Sequence, residues 1–173
     1  MAYDFTLRFR LTDATISSSD RVERLFEAGC DDALVGAGQA GKMALAFTRS
    51  AASAREAVLS AISDARGAMP DAQLIGASPD LVGLTEVAGI MGFSRQNMRK
   101  LIVGSGEHAP ASVHESTPSL WHLSDMLAWL SDRGYAVDPA IAEVAGMTKQ
   151  VNIAMQCAAA DPGAQREIAE ALA

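Results

Sequence analysis

Tyr3, Phe5, Leu7, Phe9 and Leu11 are apolar and alternate with Asp4, Thr6, Arg8 and Arg10. That period of two marks a strand with one buried face and one polar face. Residues 17–75 supply its partners. After the serine run Ser17–Ser19, Asp20 reads as the N-cap of a helix carrying Val22, Leu25 and Phe26, which Gly29 ends. Ala33-Leu34-Val35 and Met43 to Thr48 are two short apolar runs around the glycine-rich connection Gly36 to Lys42, the pattern of a β-hairpin.

A second helix is expected from about Ser53 to Met69, with Val58, Leu59, Ile62 and Ala65 as its apolar stripe. Pro70 closes it, and Gln73-Leu74-Ile75 is a last short strand. The order β-α-β-β-α-β is that of a ferredoxin-like domain, assigned to residues 1–78 with a sensory or assembly role. The fold class expected for the chain is therefore α+β. Within the hairpin, Gly36, Gly38 and Gly41 satisfy G-x-G-x-x-G, with Lys42 after them. A dinucleotide fingerprint needs a helix next, so that phosphate meets the helix N-terminus. Here a strand pattern comes next, and the glycines suit a turn instead.

Composition excludes several classes. With 14 Lys+Arg against 21 Asp+Glu, the formal charge is −7. A protein that coats polyanions needs basic residues spread over its surface, so this balance leaves only a reader with one local basic element. Cys30 and Cys157 match no metal spacing and are expected as buried, reduced thiols. His108, His114 and His122 lack ligand partners at metal spacing. No nucleophile–base pair or phosphate loop appears, so neither an enzyme nor a cofactor is expected. The charged first ten residues are not a signal peptide, and no apolar run approaches the roughly 20 residues that span a bilayer. A soluble, cytoplasmic protein without membrane contact is expected.

Ser78-Pro79-Asp80 reads as a junction, and residues 84–103, LTEVAGIMGFSRQNMRKLIV, carry the most information. Val87, Ala88 and Met91 share one helical face, Gly92 permits a tight turn, and Ser94 can cap the next helix. In that helix Met98, Leu101 and Ile102 point inward. Two helices packed across so short a turn form a helix-turn-helix.

The segment resembles the helix-turn-helix of winged regulators in the MerR, AlpA and excisionase group. Pro110-Ala-Ser-Val113 resembles the start of their wing, and Ser119 to Trp129 resembles the return from the wing into a closing helix. Trp121, Asp125 and Trp129 match the group's tryptophan, acidic and tryptophan positions, and the likeness covers about residues 80–133. The chain as a whole resembles bacterial DNA-binding proteins. The resemblance implies a winged helix-turn-helix domain over residues 79–135 that lays its second helix in the major groove of double-stranded DNA. Arg forks onto guanine, and Asn or Gln pairs with adenine. Arg95, Gln96 and Asn97 are thus the candidates for bases, Arg99 and Lys100 for phosphate or guanine, with Ser94 at the cap. The expected wing tip, His114-Glu-Ser-Thr-Pro118, departs from the basic wings of the group, because Glu115 would meet phosphate unfavourably. Trp121 and Trp129 are expected in the core.

Asp138-Pro139 starts another helix, running to about Ala160, and a short charged helix follows the turn Asp161-Pro162-Gly163. The stripe Ile141, Val144, Ala145, Thr148, Val151 and Met155 of the longer helix suits either a dimer clamp within residues 136–173 or packing back on its own winged domain. One helix with three cations makes few phosphate contacts, so a homodimer on a repeated site is expected. The function expected is that of a dimeric, sequence-specific transcriptional regulator, with activation, repression and architectural work on mobile DNA all open. The alternative is a protein-interaction adaptor or antitoxin-like partner on the same scaffold. The N-terminal segment leaves open a small-molecule or protein effector. By region the charge is −2 for residues 1–79, −2 for 80–137 and −3 for 138–173. Positive charge is concentrated on one helix, and the acidic remainder would repel DNA from every other face.

Overall fold

The computed structural model describes residues 1–36 and 40–173. The alternating segment is β1 (Ala2–Leu11), followed by α1 (Ser18–Glu27), β2 (Ala33–Gly36), β3 (Lys42–Ser50), α2 (Ala54–Ala68) and β4 (Ala72–Ser78). These strands form one antiparallel sheet in the order β2-β3-β1-β4. β1 pairs with β3 from Ala2↔Ser50 to Arg10↔Lys42 and with β4 from Thr6↔Ser78 to Leu11↔Ala72. Lys42 opens a strand rather than a helix, which is incompatible with a dinucleotide fingerprint; Gly38 lies outside the described residues, so that triplet is not seen complete. Then come β5 (Leu81–Val82), α3 (Leu84–Ile90), α4 (Arg95–Ser105), a 3-10 turn, β6 (Trp121–His122), α5 (Leu123–Asp132), α6 (Pro139–Ala159) and α7 (Pro162–Leu172). The chain is α+β, and no helix among the described residues is long and apolar enough to cross a membrane.

The apolar positions of β1 are buried as their period demands. Tyr3, Phe5, Leu7 and Phe9 meet Met43, Leu45 and Phe47 of β3, with Phe5 and Phe47 stacked at 5.2 Å between ring centroids. α2 covers them with Ala54, Ala57, Val58, Ala61, Ala65 and Ala68, whereas Leu59 of the expected stripe is 44% exposed. Small side chains let this helix approach the sheet closely.

α1 is rotated from the expected face. Leu25 is buried, but Val22 and Phe26 stand 42% and 67% exposed, and Arg21 takes the inward position at 1%. The cause is electrostatic. The Arg21 guanidinium donates to both carboxylate oxygens of Asp71, at 2.9 and 2.8 Å, and to the Asp13 carbonyl at 2.7 Å. A buried cation is tolerated only with such pairing, so the helix turns to supply it. The N-cap is Ser17, not Asp20: the Ser17 hydroxyl accepts the Asp20 N–H at 3.1 Å. Arg49 is a second buried cation, donating twice to Asp32 (2.8 and 3.0 Å) and to Asp64 at 2.7 Å. Nearby, burial pushes the Cys30 thiol up to about 11. Cys157 is exposed, against expectation, because it lies on the solvent side of α6 near its end; both cysteines are free.

α6 joins the sheet half to the helical half. Val144, Val151 and Met155 pack into the sheet core, while Ile141 and Ala145 pack into a second cluster with Val87, Met98, Leu123, Met126 and Leu130. Thr148 lies fully buried between them, its hydroxyl donating to the Pro79 carbonyl. The stripe is thus engaged within the chain. It packs back on both halves rather than on the helical half alone. Asn152 seals the β4 edge: its side-chain oxygen accepts the Ala77 N–H at 2.9 Å and its amide donates to the Ala77 carbonyl at 2.8 Å. A side chain here replaces the missing strand.

Two outcomes test these contacts. Hydrogen bonds from Arg21 hold the Asp71 carboxyl below its ordinary range. The resulting stability is present above the unfolded value of about 3.9 and is lost as pH falls through the lower folded value. Asp71→Asn should lower stability at neutral pH and flatten that acid limb in urea titrations. Asn152→Ala should cost about 1–3 kcal/mol and speed amide exchange at Ala77.

Candidate nucleic-acid interface

α3 and α4 are set by a short turn in which each residue has a local reason. The Glu86 carboxylate accepts the Gly83 N–H at 2.8 Å, closing the first turn of α3. Gly92 has φ +67°, a left-handed conformation that costs other residues about 1–2 kcal/mol. The Phe93 N–H donates to the Ala88 carbonyl at 2.7 Å, and its ring packs edge-on against Tyr135 at 5.4 Å. Ser94 caps α4, accepting the Asn97 N–H at 3.1 Å. Val87, Ala88 and Met98 are buried, and Leu101 and Ile102 half-buried, so α4 presents inward the face its spacing predicts.

The outward face holds the candidate residues. Ser94, Arg95, Gln96, Asn97, Arg99 and Lys100 are all exposed. Among the described residues, none of the three cations has an ion-pair partner. Arg21, Arg49 and Lys149, in contrast, are all engaged by carboxylates. α4 itself contains no acid, and Val103 extends its face at 72% exposure.

Beside α4 runs a hairpin. Val113 donates its N–H to the Leu120 carbonyl at 2.8 Å, and Leu120 returns one to His114 at 3.1 Å, so residues 115–119 form its tip. β6 continues this strand and pairs with β5 through Leu81↔His122 and Val82↔Trp121. Trp121 is anchored by donating its indole N–H to the Pro110 carbonyl at 3.2 Å. Trp121 and Trp129 both pack against the second cluster, and Arg133 lies 4.8 Å from the Trp129 ring centroid.

Between α4 and the hairpin lies a concavity of about 590 Å³, whose walls include Arg95, Arg99 and Val103 on one side and Thr117, Pro118 and Ser119 on the other. The candidates therefore divide. Arg95 and Arg99, one helical turn apart, face the groove that the hairpin closes, whereas Gln96, Asn97 and Lys100 do not line it. Sequence reasoning missed Thr117 and Ser119, which line the same concavity as the arginines, as does Glu86; that grouping depends on how the hairpin folds back. It also missed a partner for His122, whose Nδ1 lies 2.6 Å from Asp80. Forty-two positions separate that pair, so no local spacing announces it. Among the described residues, no group of His, Cys, Asp and Glu could hold a metal ion.

No protein-family model, curated protein or solved structure matches this chain.

The outward face depends on the inward one. Met98 is fully buried beneath the cations, so Met98→Ala should destabilise the fold by about 2–5 kcal/mol in chemical denaturation.

Proposed function

We propose that this protein is a sequence-specific double-stranded DNA-binding protein, a bacterial transcriptional regulator acting as a dimer with α4 in the major groove. The observation that carries the proposal is the outward face of α4: Arg95, Arg99 and Lys100, without an ion-pair partner among the described residues, with Gln96 and Asn97 on a capped, well-anchored helix in an otherwise acidic chain. The α3–turn–α4 geometry and the adjoining hairpin support a winged helix-turn-helix. The order β2-β3-β1-β4, with α1 and α2 on one face, supports the ferredoxin-like arrangement of the N-terminal part.

The division of α4 refines the roles. Gln96 and Asn97 lie near the helix N-terminus, where reading helices approach base edges, and suit adenine. Arg95 and Arg99 project towards the hairpin, where they can bridge base edges and the backbone beside the wing. Lys100 supplies a point charge to phosphate. Glu115 gives the wing tip an unfavourable charge, so wing contact falls to the Thr117 and Ser119 hydroxyls.

The test is selection from a pool of random duplexes at physiological salt. The full-length protein should enrich one sequence. Arg95→Ala or Asn97→Ala should weaken that site by about 1–3 kcal/mol and relax one base position. Lys100→Ala should weaken all sequences alike and reduce the salt slope by about one. A protein that enriches no sequence even at low salt overturns the proposal and leaves the protein-adaptor alternative.

A further inference from the structure

The face of the four-stranded sheet that α1 and α2 leave open is the floor of a concavity of about 1000 Å³, large enough for a small organic ligand. Asp4, Thr6, Arg8, Leu34 and Ala46 belong to that floor. The walls include Leu81 and Glu86 from the helical half, and Met155 and Gln156 from the end of α6. The strand register orders the floor in rows. Leu34 pairs with Ala46, Ala46 with Thr6, and Thr6 with Ser78, so one row crosses the sheet. Arg8 stands in the next row, between Ala44 and Gly76, and Asp4 stands beside Thr48 in the row on the other side.

Opposite charges are thus sorted along β1, about 13 Å apart over four residues of strand. Arg8, at one end, forms no ion pair among the described residues. A register shift leaves Ile75 out of the pairing between Arg8↔Gly76 and Phe9↔Leu74, and this bulge sets a glycine beside the arginine. A Cβ at Gly76 would stand 3.2 Å from an Arg8 nitrogen, so the missing side chain gives the guanidinium its place on the floor. At the other end, the Thr48 hydroxyl donates to one Asp4 oxygen at 2.7 Å and fixes that carboxylate with its second oxygen open. Glu86 adds another carboxylate to the lining, while the Asp80 oxygens are taken by Asn152 and His122.

We infer that this concavity binds a short peptide of two or three residues with free termini. A purely anionic ligand would meet one guanidinium among three carboxylates, and a purely cationic one would leave Arg8 without a partner. A linear zwitterion satisfies both ends. Two or three residues extended along β1 reach about 7–10 Å, and an ion-pair contact at each end closes the distance between Asp4 and Arg8. The carboxylate meets the Arg8 fork, which suits it bidentately, and the ammonium meets Asp4. Between them the peptide group lies over the row of Thr6 and Ser78, and an apolar side chain of the ligand covers Leu34, 78% exposed in the free chain. Binding here is independent of DNA binding by α4: among the described residues, Glu86 alone lines both this concavity and the one beside α4.

Titration of the full chain with Ala-Leu-Ala, followed by calorimetry and by amide NMR shifts, tests the inference. The peptide with free termini should bind, with shifts centred on Thr6, Ala46 and Gly76. Its N-acetylated and C-amidated forms should each bind at least tenfold more weakly, as should leucine alone, which is too short to reach both charges. Asp4→Asn should bind the free and acetylated peptides alike, and Arg8→Gln the free and amidated peptides alike. Arg8→Lys should recover part of the preference for a free carboxylate. Asp4 and Arg8 are exposed, and an unchanged spectrum away from the floor shows that each variant folds. No binding at millimolar concentration, wild-type affinity indifferent to either cap, leucine binding as tightly as the peptide, or shifts centred on α4 overturns the inference.

Discussion

The relation between the two halves of this molecule depends on one buried carboxylate. Asp80 is 5% exposed; one oxygen accepts from the Asn152 amide at 2.7 Å and the other lies 2.6 Å from His122 Nδ1. Its backbone carbonyl accepts the Leu123 N–H at 2.7 Å. Asp80 thereby touches α6, β6 and the start of α5 while standing two residues beyond β4. Asn152 extends the connection to the sheet edge through Ala77, and Thr148 holds the adjacent Pro79 carbonyl. A buried carboxylate is tolerated when its oxygens are occupied, and this one is occupied by groups from separate elements. The position of α4 relative to the sheet follows from that junction together with the shared packing of α6.

Much of the fold was legible wherever a local rule acts alone. β1 follows its period of two, α2 starts at its Ser53 cap, α4 at Ser94, and α6 at Asp138 with Pro139 behind it. Rotation of the helices was less legible. Periodicity placed Val22, Leu25 and Phe26 inward on α1, but Asp71, 50 positions away, draws Arg21 inside and turns the other two outward. The run Ala33-Leu34-Val35 is apolar at every position, so nothing local says which side faces water; the register with β3 puts Leu34 on the open face. Asp80 shows the same limit from the other direction. Within Ser78-Pro79-Asp80 it has the composition of a surface turn, yet its partners at positions 122 and 152 bury it.

The candidate DNA-reading face was more legible than the junction for a physical reason. A helix that needs only an inward stripe and a cap leaves its outward residues free, and the same spacing that predicts Met98 inside predicts Gln96 and Lys100 outside. The hairpin beside it was not legible in that way. Its strand contacts rest on a few backbone hydrogen bonds, and the placement of Thr117 and Ser119 against Arg95 and Arg99 depends on the whole helical cluster beneath. The division of the arginines from Gln96, Asn97 and Lys100 is therefore a property of the assembled structure.

α6 is engaged within its own chain, on both of its halves. Had this helix joined two copies, its apolar stripe would have been lost to the monomer, and the two halves of the chain would be tied mainly by the junction at Asp80. Because α6 instead packs on both, the sheet and α4 are held together by apolar contact as well as by hydrogen bonds.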